Sequence, residues 1–111
     1  MTLLIRPARP DEAGLVLDFI RELAVYEKLP HEIEATQAQI ATSLFGENPR
    51  VFCDIAEWAG EPVGFAVWFY TYSTFRGRHG IWLEDLFVRE AARGRGIGKA
   101  LMARLARRCV D

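Results

Sequence analysis

The apolar positions change period several times along the chain, and each change predicts an element. Leu3–Arg6 is a short apolar stretch ending at Pro7, which predicts a strand. Pro10 then stands where a first helical residue belongs, with Asp11 and Glu12 in the first turn. Val16, Phe19, Ile20, Leu23 and Ala24 follow at the spacing of one helix face. That helix is expected to fade over Glu27–Pro30, because a proline disfavours helical geometry in the residue before it, Leu29. Thr36-x-x-Gln39 has the form of a capping box for a second helix. Ile40, Leu44 and Phe45 give that helix a short buried stripe, and Gly46 is its expected stop. Val51–Trp58 and Val63–Tyr72 then flank Ala59-Gly60-Glu61-Pro62, a hairpin signature. Gly80–Val88 is a third apolar, aromatic-rich run, and Arg89–Arg95 reads as a loop. From Gly96 the pattern turns helical again, with Ile97, Ala100, Leu101, Leu105 and Val110 on roughly one face.

The predicted order is strand, helix, helix, three strands, helix. Contiguous strands predict an antiparallel meander with helices on its faces, an α/β (α+β-like) class. A helix that leaves a strand usually crosses back to a parallel neighbour, and no strand follows this one. The sequence therefore reads as the first part of an α/β fold.

Composition narrows the function classes. With 111 residues, 50% hydrophobic and 26% charged, the chain is long enough for one domain with its own core. Cys53 and Cys109 are too few and too scattered for a disulfide framework or a zinc site, and read as packing residues. His31 and His79 are too isolated to pair on a metal. Trp58, Trp68 and Trp82 lie in strand patterns and read as core. No apolar run reaches 18 residues, and the first residues lack the apolar core of a signal peptide. A reducing, cytoplasmic location is the expectation.

The net charge of −1 hides an asymmetry. Residues 1–60 carry 5 basic and 10 acidic side chains, residues 61–111 carry 9 and 5. The basic excess gathers over Arg89–Arg108, which suits two ligands of opposite charge. Nucleic acid is a poor third choice, because no aromatic residues interleave with the basic last helix and the domain is slightly acidic.

The most informative segment is Arg93-Gly94-Arg95-Gly96-Ile97-Gly98-Lys99, which follows a strand and opens a helix. Alternating glycines let the backbone approach a ligand and turn its N–H groups outward. A helix N-terminus adds about half a positive charge, and Arg93, Arg95 and Lys99 add full ones. This is chemistry for a pyrophosphate. A dinucleotide-binding loop would need glycine at 99, and a Walker loop would need glycine at 93 and Ser or Thr at 100. Both readings fail.

The pattern Arg-x-x-Gly-x-Gly at Arg93, Gly96 and Gly98 resembles the acetyl-CoA signature of the GCN5-related N-acetyltransferases (GNAT). Trp82-Leu83-Glu84-Asp85-Leu86-Phe87-Val88 resembles the fourth strand of their diamine (spermidine/spermine) acetyltransferase branch. Ile5-Arg6-Pro7-Ala8, Glu22-Leu23-Ala24-x-Tyr26-Glu27 and Phe69-x-Thr71-Tyr72 resemble its first strand, first helix end and third strand end. The resemblance implies a mixed, mostly antiparallel sheet flanked by helices, with residues 1–111 forming the N-terminal portion of the N-acetyltransferase domain. It implies acetyl-CoA as cosubstrate, no metal, loop amides of Arg93–Lys99 on the pyrophosphate, and a bulged fourth strand around Leu86, Phe87 and Val88 beside the thioester. The family's general-acid tyrosine belongs to its second half, and Tyr26, Tyr70 and Tyr72 are not its equivalents. Polyamine enzymes tend to carry an acid and a tryptophan after the Thr-Tyr pair. This chain has Ser73 and Phe75, a departure that bears on the acceptor.

An alkyl amine has a pKa of about 10.4, so at pH 7 only about one in 10³ is free to attack a thioester. A carboxylate can hold the ammonium and take its proton. Glu84 and Asp85 occupy adjacent strand positions and are expected on opposite faces. The resemblance selects Glu84 as the catalytic acid, with Tyr26, Glu27 and Asp85 lining the amine side. The expected function is acetyl transfer to a primary amine of a polyamine or lysine-like amino acid, by direct attack in a ternary complex. The alternative is a truncated, non-catalytic CoA-binding or regulatory module. An unpaired fourth-strand edge and a partly uncovered stripe of Ile97, Leu101 and Leu105 lead to the expectation of a homodimer.

Overall fold

A computed structural model describes residues 2–110. Strand β1 (Leu3–Pro7) is followed by a 3-10 turn at Pro10–Glu12 and by α1 (Ala13–Tyr26). Helix α2 (Gln37–Phe45) precedes the strands β2 (Phe52–Trp58), β3 (Glu61–Ser73) and β4 (Arg78–Val88), and α3 (Ile97–Val110) comes last. The sheet has the order β1-β2-β3-β4. Each of its neighbouring pairs is antiparallel, so among the described residues it is a pure meander.

Local chemistry explains most boundaries. Thr36 Oγ1 accepts from the Gln39 N–H at 3.1 Å, and the Gln39 side chain accepts from the Thr36 N–H at 3.0 Å, which closes the capping box of α2. Helix α2 stops at Gly46, where a Cβ would lie 2.5 Å from the Thr42 carbonyl oxygen. The β2–β3 turn is tighter than the sequence pattern implied. Ala59 and Gly60 alone form it, both at positive φ (53° and 84°), and Glu61 and Pro62 already belong to β3. Two positive φ values fit the twist of a two-residue hairpin.

The sheet is covered on both sides. On one face α1 and α2 pack Val16, Leu17, Phe19 and Ile40 against Cys53, Ile55, Phe65, Val67 and Phe87. Phe19 stacks on Phe65 with ring centroids 5.2 Å apart. On the other face α3 sets Ile97 and Leu101 on Ala56 and Ala66, with Leu83, Leu86 and Val88 alongside. Burying each of these large side chains is worth about 1.5–3 kcal/mol. The stripe expected to lack cover is therefore covered: Ile97, Leu101 and Leu105 are buried. Val110, assigned to the same face, is exposed one turn beyond the sheet.

Two other expectations change. Trp68 is core, Trp58 is half-buried, and Trp82 is 56% exposed. The reason is length: β2 ends opposite Trp68, so Phe69–Ser73 and Arg78–Trp82 extend past it as a two-stranded arm. Cys109 is exposed, whereas Cys53 is buried and its thiol pKa is raised, chiefly by burial. Among the described residues no helix is long and apolar enough to cross a membrane.

Arg6 on β1 ties the sheet to the start of α1. It donates to both Glu12 carboxylate oxygens at 2.7 Å and to Glu57, and all three side chains are largely shielded. Arg6 hydrogen bonding holds the Glu12 carboxyl below the usual glutamate range, against the opposing effect of burial. Arg6→Met takes the shared partner from two shielded carboxylates, of which Glu12 keeps only Arg9, and should cost up to about 3–5 kcal/mol in urea unfolding. Glu12 binds protons less readily folded than unfolded, so its contribution is present above the ordinary value of 4.5 and fades as pH falls below it. Glu12→Gln should flatten that acid limb; an unchanged slope below pH 4.5 shows that Glu12 is not the linked group.

Candidate active site

A cleft of about 400 Å³ opens between the end of α1, the last residues of β4 and the start of α3. Leu86, Phe87 and Val88 form its floor, Leu23 and Tyr26 one wall, and Arg93, Gly94, Gly96, Ile97 and Gly98 the other. Arg89 fixes the chain as it leaves β4. Its N–H donates to the Val63 carbonyl at 2.7 Å, its guanidinium bonds Glu22 on α1 at 2.9 Å, and it lies 4.6 Å over the Phe19 ring.

The glycines serve two different purposes. Gly94 and Gly96 have φ of 85° and 74°, backbone that favours glycine, and a Cβ there would meet nothing within 4 Å. Gly98 is helical, and its Cβ would meet only Val88 Cγ2 at 3.8 Å and Leu86 Cδ2 at 3.9 Å, ordinary contact distances. The fold therefore tolerates a methyl group at 98. What the missing side chain leaves open is the cleft. The first N–H groups of α3 have no partner within their own helix, and no acidic residue stands in its first turn.

Two of the loop cations are held on aromatic rings. Arg93 donates to the Val88 carbonyl at 2.8 Å and lies 4.6 Å over Tyr26 and 5.5 Å over Phe87. Arg95 lies 5.0 Å over Trp58, and Lys99 is exposed. Tyr26, expected on the amine side, thus touches the loop and lines the glycine cleft. Leu23 was assigned only to the buried face of α1. Its spacing of three from Tyr26 was the signal that both would meet the loop.

The acids sit at a break in β4. Asp85 pairs with Val67 and Leu83 with Trp68, so the extra residue with no partner on β3 is Glu84, and the bulge lies just before the Leu86–Val88 stretch where it is expected from the sequence. This bulge interrupts strict alternation, the premise for placing Glu84 and Asp85 on opposite faces. Glu84 is exposed, whereas Asp85 is half-buried beside Ile20 of α1 and Ile40 of α2. Burial, then the charges of Glu84 and Glu27, raise the Asp85 pKa above the usual aspartate range. Glu27 and Glu84 therefore both bear electrostatically on Asp85. Strand β4 has no neighbour on its other edge among the described residues, so alternate backbone groups there are free for a ligand. The described residues contain no group of three or more His, Cys, Asp or Glu placed to hold a metal ion.

Residues 16–111 match the family described as Acetyltransferase (GNAT) family. The chain belongs to that family. It is 38% identical to thialysine N-epsilon-acetyltransferase of Sus scrofa, over 99% of this chain and 69% of the relative. It is 35% identical to spermidine/spermine N(1)-acetyltransferase-like protein 1 of Homo sapiens, over 92% of this chain and 16% of that protein. The chain thus spans about two thirds of the pig enzyme, and the match lies in the diamine acetyltransferase-like branch. A solved ribosomal-protein-alanine N-acetyltransferase from Brucella melitensis superposes with a TM-score of 0.78 at 18% identity, covering 97% of this chain and 71% of that one. That likeness shows the fold, and this GNAT chain is an acetyltransferase by its family and relatives.

The raised Asp85 pKa makes a prediction with a definite sign. Folded Asp85 holds its proton to higher pH than unfolded, so the GNAT chain loses stability as pH rises through the interval above 3.8. Asp85→Asn should raise the unfolding midpoint at neutral pH, and the gain should vanish below the ordinary aspartate pKa. A gain of equal size at pH 3 and pH 7 would show that desolvated charge is not its source.

Proposed function

We propose that this protein transfers the acetyl group of acetyl-CoA to a primary amine of a small cationic acceptor, a polyamine or lysine-like amino acid, in a ternary complex. The observation that carries the proposal is the Arg93–Lys99 loop, whose helix-start amides open onto the Leu86–Val88 floor with the acids Glu84, Asp85 and Glu27 beyond it. The residues fit the cosubstrate. The amides at Ile97–Lys99, with Arg93, Arg95 and Lys99, suit a pyrophosphate, and the shape at Gly98 admits it. The free edge of β4 at Leu86, Phe87 and Val88 suits the amide-bearing arm, which can add to a strand edge. Relatives named for thialysine and for spermidine/spermine favour an amine acceptor for this chain too.

The acceptor arrives as an ammonium ion, for which Glu27, Glu84 and Asp85 supply opposite charge. Glu84, the exposed residue of the bulge, takes the amine proton directly or through one water. The nitrogen lone pair then forms the C–N bond to the thioester carbonyl. Backbone N–H groups on the free edge of β4 stabilise the developing oxyanion. The C–S bond breaks as the thiolate departs and the amide nitrogen gives up its second proton, which the sulfur takes up through solvent to leave as the thiol. Donors already fixed by a strand need no reorganisation as charge develops.

Two measurements test this reading. Gly98→Ala should leave stability unchanged or raise it by up to ~1 kcal/mol, since alanine is the better helix former. The same variant should weaken CoA binding in calorimetry, and equal affinity would remove the loop from the site. Glu84→Gln should lower kcat/KM by about 10²–10⁴ with CoA affinity intact. A loss confined to KM would reassign Glu84 from base to acceptor binding.

A further inference from the structure

One buried charged group has no part in this chemistry. Asp54 lies in the middle of β2 with 1% of its surface exposed. Its carboxylate meets two arginines of α3: Arg104 Nε lies 3.7 Å from Oδ2, and Arg108 Nη2 lies 3.5 Å from Oδ1. The arginines are four residues apart, one turn along the same side of the helix. Arg104 also donates to the Ile5 carbonyl of β1 at 3.1 Å, and Arg108 lies 4.9 Å over the Trp68 ring of β3. Two side chains thus tie the C-terminal half of α3 to three strands.

The tie depends on charge more than on close fit. Asp54 Oδ2, Trp68 Nε1 and the Nε atoms of Arg104 and Arg108 have no hydrogen-bond partner among the described residues. Coulomb attraction in a poorly solvated site still acts at these distances. The N-terminal half of α3 is held by apolar contact, with Ile97 and Leu101 on Ala56 and Ala66 and beside Leu83, Leu86 and Val88. Apolar contact is non-directional, so a charged tie to a fixed carboxylate on β2 adds a restraint along and about the helix axis.

We infer that Asp54 is a positioning residue for the glycine loop: it fixes α3 along and about its axis, and the helix carries that restraint to Gly96–Lys99. At 1.5 Å per residue, Arg104 stands ~9 Å and Arg108 ~15 Å along the helix from Gly98. Over that length an α-helix moves as a unit, so a shift at one end reaches the other. The inference rests on the reading that this loop holds the cosubstrate.

Asp54→Asn keeps the side-chain shape and removes its charge. The test uses the full-length protein with two readouts. One is the set of backbone amide resonances of Gly94, Gly96 and Gly98 without ligand, and the other is CoA affinity by calorimetry. The loop amides should shift and CoA should bind ~10-fold more weakly, because sub-ångström looseness in a supporting shell is enough for such a loss. Far-UV circular dichroism and the KM for the amine at saturating acetyl-CoA should stay as in the parent. If Asp54→Asn does not fold, Arg108→Met gives the same test, since methionine keeps apolar packing on Trp68 and Arg104 remains. Unchanged loop amides and unchanged CoA affinity in a folded variant overturn the proposal, whatever happens to the melting temperature. If the parent protein binds no CoA, the loop reading itself fails, and the amide shifts alone then decide whether Asp54 positions the loop.

Discussion

The arrangement around the cleft depends on one extra residue in β4. Before Glu84, Ile81 and Leu83 face α3; after it, Leu86 and Val88 do. Leu83 and Leu86 are three positions apart and still share a face, which the two-residue period of a strand forbids without a bulge. Strict alternation would have sent Phe87 to the α3 side and left Leu86 and Val88 under α1. The bulge reverses that assignment. It puts Phe87 into the core with Phe19 and Phe65, and it leaves Leu86 and Val88 as the surface on which α3 begins. The same residue, Glu84, is the carboxylate that the proposed reaction uses.

From that offset the remaining geometry follows by connection. Val88 ends β4 beside Arg89, which is pinned to Val63, Pro62 and Glu22. Arg93 returns to the Val88 carbonyl, and α3 starts four residues later. A helix N-terminus is an anion site only if its amides face open space, and the short pinned connection leaves that space between α1 and α3. The cations nearest it are partly committed: Arg93 and Arg95 rest on Tyr26 and Trp58. Held rings and guanidinium groups lose less entropy on binding than free side chains do.

Charge is separated along the same cleft. The glycine loop is cationic and the bulge region anionic, an arrangement suited to a polyanion at one end and an ammonium at the other. The compositional asymmetry of the two halves of the chain, ten acids in residues 1–60 and nine bases in residues 61–111, maps onto this only in part. Glu84 and Asp85 come from the basic half, while Glu12, Glu57 and Asp54 of the acidic half are occupied by Arg6, Arg104 and Arg108.

The elements, their order and the glycine loop were legible in the amino-acid pattern alone. Periodicity exposed α1 and α3, a capping box exposed the start of α2, and spaced glycines after a strand exposed the loop that opens α3, because each of these signals is local. The pattern also carried enough resemblance to reach the acetyltransferase family. Which side chains meet depends on the packing of helices on the sheet. A bulge is set by pairing with β3, so the relation of Glu84 to Asp85 was not legible from their adjacency. Trp82 is exposed because β2 is shorter than β3, a comparison between strands that no single window contains. Tyr26 joined the loop, and Asp54 joined Arg104 and Arg108, across separations of about 50 to 70 residues. Such contacts depend on how a helix lies on a sheet, and a one-dimensional pattern records only which face is apolar.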